Sequence, residues 1–227
     1  MTISSQLNFG SLGALMMMLL TGLAGCGGSE ELKQQLEHDN SFTVVNGLDY
    51  PIDFYLQHRT MSTTSFSALF ADANRVIRDI PQGSVSQLYR YRYSGHLPAT
   101  NFGVRNSINQ VDEAKLYRSL QDKENLWLVV WRSKAQQPQL TVIPKQQREQ
   151  AGKINVRVFA DDVYQMTINS TVTASTRKGE VSDFYALENC ANGLAIGGKP
   201  IDVCNADFGA SYLLLLDEKG KKLLARE

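Results

Sequence analysis

Gly83-Ser-Val-Ser-Gln-Leu-Tyr89 and Gly179-Glu-Val-Ser-Asp-Phe-Tyr185 share the pattern G-x-V-S-x-x-Y. Glycine suits a turn, valine and tyrosine suit a strand, and serine bonds local backbone. Each copy therefore reads as a turn at the start of a strand. Working outward, each is preceded by a pair of strand-like runs, residues 42–56 before the first and 154–168 before the second. Each is followed by an apolar hairpin, residues 126–143 and 212–225. The same parts recur in the same order, which implies two units.

The runs themselves favour strands. Leu126-Trp-Leu-Val-Val-Trp131 and Tyr212-Leu-Leu-Leu-Leu216 are unbroken apolar stretches of strand length, suited to burial on both faces. Tyr89, Tyr91 and Tyr93 alternate with Arg90 and Arg92, the period of a strand with one face inward. Residues 60–68 and 94–110 read as loops, and residues 111–123 as a short helix with Val111, Ala114, Leu116 and Leu120 inward. Residues 144–153, PKQQREQAGK, have no apolar period and read as a linker. Short strands between turn signals, with little helix, predict an all-β chain of two short-stranded, Ig-like β-sandwich units. Unit one covers 42–143, the linker 144–153 and unit two 154–227.

Val45-Asn-Gly-Leu-Asp-Tyr-Pro-Ile-Asp-Phe-Tyr55 resembles the opening of the DUF4397 repeat, and the Gly83 and Gly179 heptads resemble its G-x-V-S-x-Y segment. The later core strand of that family is similar to Leu126–Trp131. The resemblance implies tandem β-sandwiches in an exported bacterial protein and brings no catalytic residues. The second copy departs from it, with Val158-Phe-Ala-Asp161 in place of the opening. The first carries a long insertion between Tyr93 and Leu126.

The N-terminal stretch gives an address. Residues 1–25 carry no charge, and FGSLGALMMMLLTGLA, residues 9–24, is apolar but shorter than the roughly 20 residues a spanning helix needs. It closes on Leu23-Ala-Gly-Cys26, which resembles the lipobox of bacterial lipoproteins. The resemblance implies removal of residues 1–25 and acylation of Cys26. Gly27 stands where an inner-membrane protein of the enterobacterial rule has Asp, so the expected location is the outer membrane. Residues 26–41 would then be a tether. Leu32 and Leu36, four apart on a charged background, suggest a short helix within it.

The chain has three cysteines. With Cys26 assigned to lipid, Cys190 and Cys204 are left to pair in an oxidising compartment. A metal site is the alternative, but no histidine follows His96 and zinc is not expected.

Composition narrows the function. Lys plus Arg and Asp plus Glu are 23 each, so no global field draws the chain to nucleic acid. His38, His58 and His96 lie near serines, yet no G-x-S-x-G elbow exists. Asp161-Asp162 reads as a turn. Asp202, Asn205 and Asp207 miss the EF-hand spacing, and Gly197-Gly198-Lys199 is followed by Pro200, which breaks a phosphate-loop pattern. Arg90 and Arg92 are the surface candidates for an anionic partner, since a guanidinium grips phosphate bidentately. The expectation is a non-enzymatic outer-membrane lipoprotein without metal or cofactor. It would be held to the membrane by its lipid and would bind an envelope protein or glycan, or serve as a structural accessory. The alternatives are an envelope hydrolase acting on glycan or peptide, and a secretion or surface-assembly accessory.

Overall fold

The computed structural model describes residues 37–60, 65–95, 98–132 and 137–227. Among them the chain is all-β, of the sandwich type, with one 3-10 turn at Asp72–Asn74. The signal segment, Cys26 and the tether up to residue 36 lie outside the described residues.

The chain begins with β1 (Glu37–Asn46), β2 (Ile52–His58), β3 (Arg75–Ile80), β4 (Ser84–Val85) and β5 (Tyr89–Ser94). It continues with β6 (Ala99–Asn106), β7 (Glu113–Ser119), β8 (Asn125–Trp131) and β9 (Gln139–Pro144). One sheet has the order β4-β1-β8-β9, with β5 also on β1, and the facing sheet has the order β3-β2-β6-β7. The second half holds β10 (Ile154–Ala160), β11 (Gln165–Ile168), β12 (Val172–Ser175) and β13 (Val181–Leu187). It closes with β14 (Leu194–Ile196), β15 (Lys199–Pro200), β16 (Ser211–Asp217) and β17 (Gly220–Arg226). Its sheets are β13-β10-β16-β17 and β12-β11-β14-β15. The two halves thus repeat one topology. In each, the first strand pairs in parallel with a late one, β1 with β8 and β10 with β16. Parallel neighbours need a long crossover, and here the crossover strands build the facing sheet.

The heptads occupy the same place in both halves. Gly83 and Gly179 sit at φ 59° and 69°, the left-handed region that glycine enters without a Cβ penalty. Val85 pairs with Val45 on β1, and Val181 with Phe159 on β10. Ser86 Oγ accepts from Val44 N at 2.9 Å and donates to Gln87 O at 2.8 Å. Ser182 Oγ does the same with Val158 N at 2.9 Å and Asp183 O at 2.7 Å. Tyr89 and Tyr185 pack against their respective cores.

Three layers of side chains hold the body together. Phe42, Val44, Leu126, Leu128 and Val130 meet Phe54 and Phe102 inside the first sandwich. Val156, Val158, Leu214 and Leu216 meet Met166 and Leu194 inside the second. The opposite faces of the same strands form a third cluster, with Val45, Trp127, Val129, Trp131, Phe159, Leu213 and Leu215. So β8 and β16 are buried on both faces, which is why their sequences are unbroken and apolar. Each such side chain contributes about 1.5–3 kcal/mol by leaving water.

Several local expectations are corrected. Residues 94–110 hold β6 and residues 111–123 hold β7, not a loop and a helix. Ala114 and Leu116 fit a period of two as well as a helical face, and Val111, counted as inward, is exposed. The sequence around β6 hides its strand because Gly103 interrupts it. A Cβ there would lie 2.9 Å from Leu69 Cδ2 and Phe70 Cε1, so a side chain would have to displace the buried Leu69 or the Phe70 ring. β6 and β7 occupy the place that β14 and β15 hold in the second half, so the segment between Tyr93 and Leu126 contains part of the repeated topology. β1 begins at Glu37 rather than at 42.

Cys190 and Cys204 form a disulfide, and Val203 N donates to Cys190 O across it at 2.8 Å. Thiol counting under denaturing, non-reducing conditions should find neither free. Replacing both by serine should lower the urea-unfolding free energy by about 3 kcal/mol, the loop-closure value for a loop of this size.

Candidate functional site

A groove of about 510 Å³ opens where the two sandwiches meet. It lies at the C-terminal ends of β1, β8, β10 and β16, with Gly47, Trp131, Asp161 and Asp217 among its lining residues. The backbone fixes these ends in matching fashion. Gly47 N donates to Val130 O at 2.8 Å, and Asp161 N donates to Leu216 O at 3.3 Å. Gly47 is required for close approach: a Cβ there would meet Val130 O at 2.7 Å and Leu215 Cδ2 at 2.8 Å. The two walls differ chemically because equivalent positions carry different residues. Relative to β1 and β8 paired in register, β10 and β16 place Asp161 at the point equivalent to Gly47 and Asp217 at the point equivalent to Trp131.

The floor is apolar. Trp131 and Phe159 meet edge to face, 5.8 Å between ring centroids, and Leu48 and Leu215 flank them. Trp131 is held by its Nε1, which donates to Thr141 Oγ1 at 2.9 Å. Two ion pairs stand on the rim, Arg132 with Asp49 at 2.9 Å and Lys222 with Asp217 at 3.5 Å. Asp161 accepts from the Tyr164 hydroxyl at 2.7 Å. Burial holds the Asp161 carboxyl above its ordinary value, Tyr164 offsets part of this, and the charge of Asp217 adds to it. Tyr164 is in turn pushed strongly upward, first by burial and then by its bond to Asp161. The groove therefore offers an apolar floor, two ion pairs on its rim and, in Asp161, a carboxyl that burial makes costlier to ionise and that accepts from Tyr164. Among the described residues that line it there is no serine, cysteine or histidine.

The residues singled out from sequence lie elsewhere. Arg90 and Arg92 project from the exposed face of β5, between inward tyrosines. Arg92 Nε bonds Asp39 Oδ2 at 3.2 Å, near the start of β1 and away from the groove. Cys190 of the Cys190–Cys204 bridge packs against the second core, while Cys204 is exposed. Asp202 caps Cys204 N, Asn205 accepts from Lys221 Nζ, and Asp207 pairs with Arg226. Asp162 serves its turn, accepting from Val163 N at 2.8 Å. Its neighbour Asp161 is the groove residue that the turn reading passed over. Its signal is the parallel with Gly47, visible only once the two halves are aligned on their heptads.

Compared with known proteins, the chain matches no family model and no curated relative.

Proposed function

We propose that this chain is a non-enzymatic, lipid-anchored protein of the bacterial outer membrane that binds an envelope protein or glycan in the groove between its sandwiches. The lipobox Leu23–Cys26 supports the anchor. The repeated order of strands and heptads supports the likeness to tandem DUF4397 units. The observation that carries the binding role is the position of the groove. The chain comes into the body at the start of β1, and the groove opens at its other end. Ten residues of β1 separate the two, about 30 Å at ~3.3 Å per residue.

Two measurements test this reading. Radiolabelled palmitate should enter the wild-type protein and not Cys26→Ser; failure of the wild type to label would end the lipoprotein reading. Asp49→Lys should weaken retention on isolated envelope glycan or its peptide-bearing form by about two- to fivefold, the usual worth of a rim charge. No change on either matrix would remove the groove as the binding site. The raised Asp161 carboxyl gives the hydrolase reading its one foothold, as a general acid in the groove. The binding reading expects no turnover of envelope glycan or peptide by the wild type. Turnover abolished by Asp161→Asn would establish the hydrolase.

A further inference from the structure

At the opposite end of the first sandwich, the apolar core gives way to a layer of polar rings. His38 from β1 stacks on Tyr93 of β5, with centroids 4.7 Å apart and planes 23° apart. His58, the last residue of β2, lies against the same ring at 4.8 Å. Tyr91 stacks on Tyr93 at 5.2 Å. Asn40 and Thr100 complete the layer from the inward faces of β1 and β6, 1 % and 0 % exposed. Among the described residues, four buried polar atoms here lack a hydrogen-bond partner: both histidine Nδ1 atoms, Asn40 Nδ2 and the Tyr93 hydroxyl, while the Tyr91 hydroxyl and Thr100 Oγ1 have each other. Buried groups without partners oppose the closed state. The layer stays shut through ring packing, the pairing of β1 with β5 and a few bonds at the start of β1.

Those bonds are distinct from the β1–β8 ladder. β1 pairs with β8 only from Ser41, opposite Asn125, onward. Before that it is held by β5, its other sheet neighbour, and by the β7–β8 turn. Asp39 N donates to Asp122 Oδ1 at 3.0 Å, Lys123 N to Asp39 O at 3.1 Å and Glu124 N to Asn40 Oδ1 at 2.9 Å.

We propose that the His38–Tyr93–His58 stack is an acid-opened latch that fastens the first residues of β1 to the end of the sandwich. The described charged groups around it are few and mostly engaged with one another. Asp39 pairs with Arg92 at 3.2 Å, and Arg118 with Glu124 at 2.6 Å. The Arg59 guanidinium lies over Tyr117 at 4.5 Å. Asp122 faces His38 Nδ1 at 3.9 Å. On His58 the acting influences are burial and the charge of His38, and both hold it below the ordinary imidazole value of 6.5. The sign follows. An imidazole released to water protonates first as pH falls below that value, so acid draws the equilibrium toward the open layer. Above it the latch is shut. Opening releases residues 37–40, lengthening the chain ahead of β1 by about 13 Å at ~3.3 Å per residue. The latch does not depend on lipidation.

Amide hydrogen exchange on the full chain tests the latch, corrected for the intrinsic pH dependence of exchange. From about pH 7.5 to about pH 5.5, protection at the Asp39 and Ser41 amides should fall by about tenfold, one unit of proton linkage. Protection at Val156 and Leu214, inside the second sandwich, should hold. The double variant His38→Gln/His58→Gln should lose the fall. His96 is then the one histidine left, so a fall that survives the double substitution overturns the assignment, as does constant protection in the wild type. Should the double variant not fold, His58→Asn alone must remove most of the response, and an undiminished response in it overturns the latch equally.

Discussion

Arg157→Ala should lower the unfolding free energy by about 3–5 kcal/mol, the cost of stranding one member of a buried ion pair. The Arg157 and Glu227 side chains are 3 % and 0 % exposed. Arg157 stands on β10 among the residues that face the first sandwich, in a surrounding that is otherwise mostly apolar. Its Nε donates to Glu227 Oε1 at 2.9 Å, and its guanidinium also donates to Pro144 O at 2.9 Å. Glu227 Oε2 accepts from Trp127 Nε1 at 2.7 Å and from Gln146 N at 3.2 Å. One carboxylate thereby joins β8 of the first sandwich, β10 of the second and the segment between them. Remove the guanidinium and a buried carboxylate remains, held by two neutral donors and the more distant charge of Lys145. For a body of this size the loss corresponds to a fall in Tm of roughly 6–20 °C. The double variant Arg157→Met/Glu227→Met should cost far less, because buried pairs are often replaced by apolar side chains at little net cost. Urea unfolding of the wild type, the single and the double variant distinguishes these outcomes. A single variant within about 1 kcal/mol of wild type would show that water reaches the pair and that the junction is not packed as described.

This ion pair also marks the limit of what the sequence conveys. The strands with one dominant interaction are legible. Leu126–Trp131 and residues 212–216 are apolar on both faces because both faces are covered, and the tyrosine–arginine alternation of β5 reports one inward and one outward face. The repeat is legible because each residue of G-x-V-S-x-x-Y does something local. The glycine makes a left-handed turn, the valine takes a ladder position and the serine bonds neighbouring backbone. What stays hidden depends on contacts distant in sequence. β6 carries Asn101, Gly103 and Asn106 at positions that weaken a strand signal, since its neighbours β2 and β7 on either side, and the Leu69–Phe70 segment against it, decide its state. Arg157 in a strand of valines reads as a solvated position, and only Glu227, 70 residues away, makes it an interior one. The groove is hidden for the same reason. Its walls come from the ends of four strands, and no window of sequence contains more than one of them. Asp161 looks like half of an acidic turn until Gly47 is placed at the equivalent point of the first half.

The two heptad glycines supply the sharpest test of how the halves are joined. They share a pattern, a position and a backbone conformation, yet Gly179→Ala should cost about twice as much as Gly83→Ala or more. At Gly83 an added Cβ meets nothing within 4 Å, so the expected loss is the backbone cost alone, about 1–2 kcal/mol for an L-residue in the left-handed region. At Gly179 the same Cβ would lie 2.4 Å from Trp131 Cζ2 and 2.8 Å from Cη2. The indole is restrained on the sides away from the groove. Its Nε1 is bonded to Thr141, Phe159 packs edge to face with it, and the residue is 9 % exposed. Forcing the atom in adds an overpacking cost of about 1–3 kcal/mol to the backbone cost. Gly179→Ala should therefore destabilise by about 2–5 kcal/mol and shift the indole emission of a chain that has only two tryptophans. Because Trp131 is also the floor of the groove, Gly179→Ala should weaken ligand retention while Gly83→Ala leaves it intact. Equal losses from the two substitutions would mean that Trp131 yields freely. The junction between the sandwiches would then be a loose contact, and a groove built on that indole would have no fixed shape with which to select a ligand.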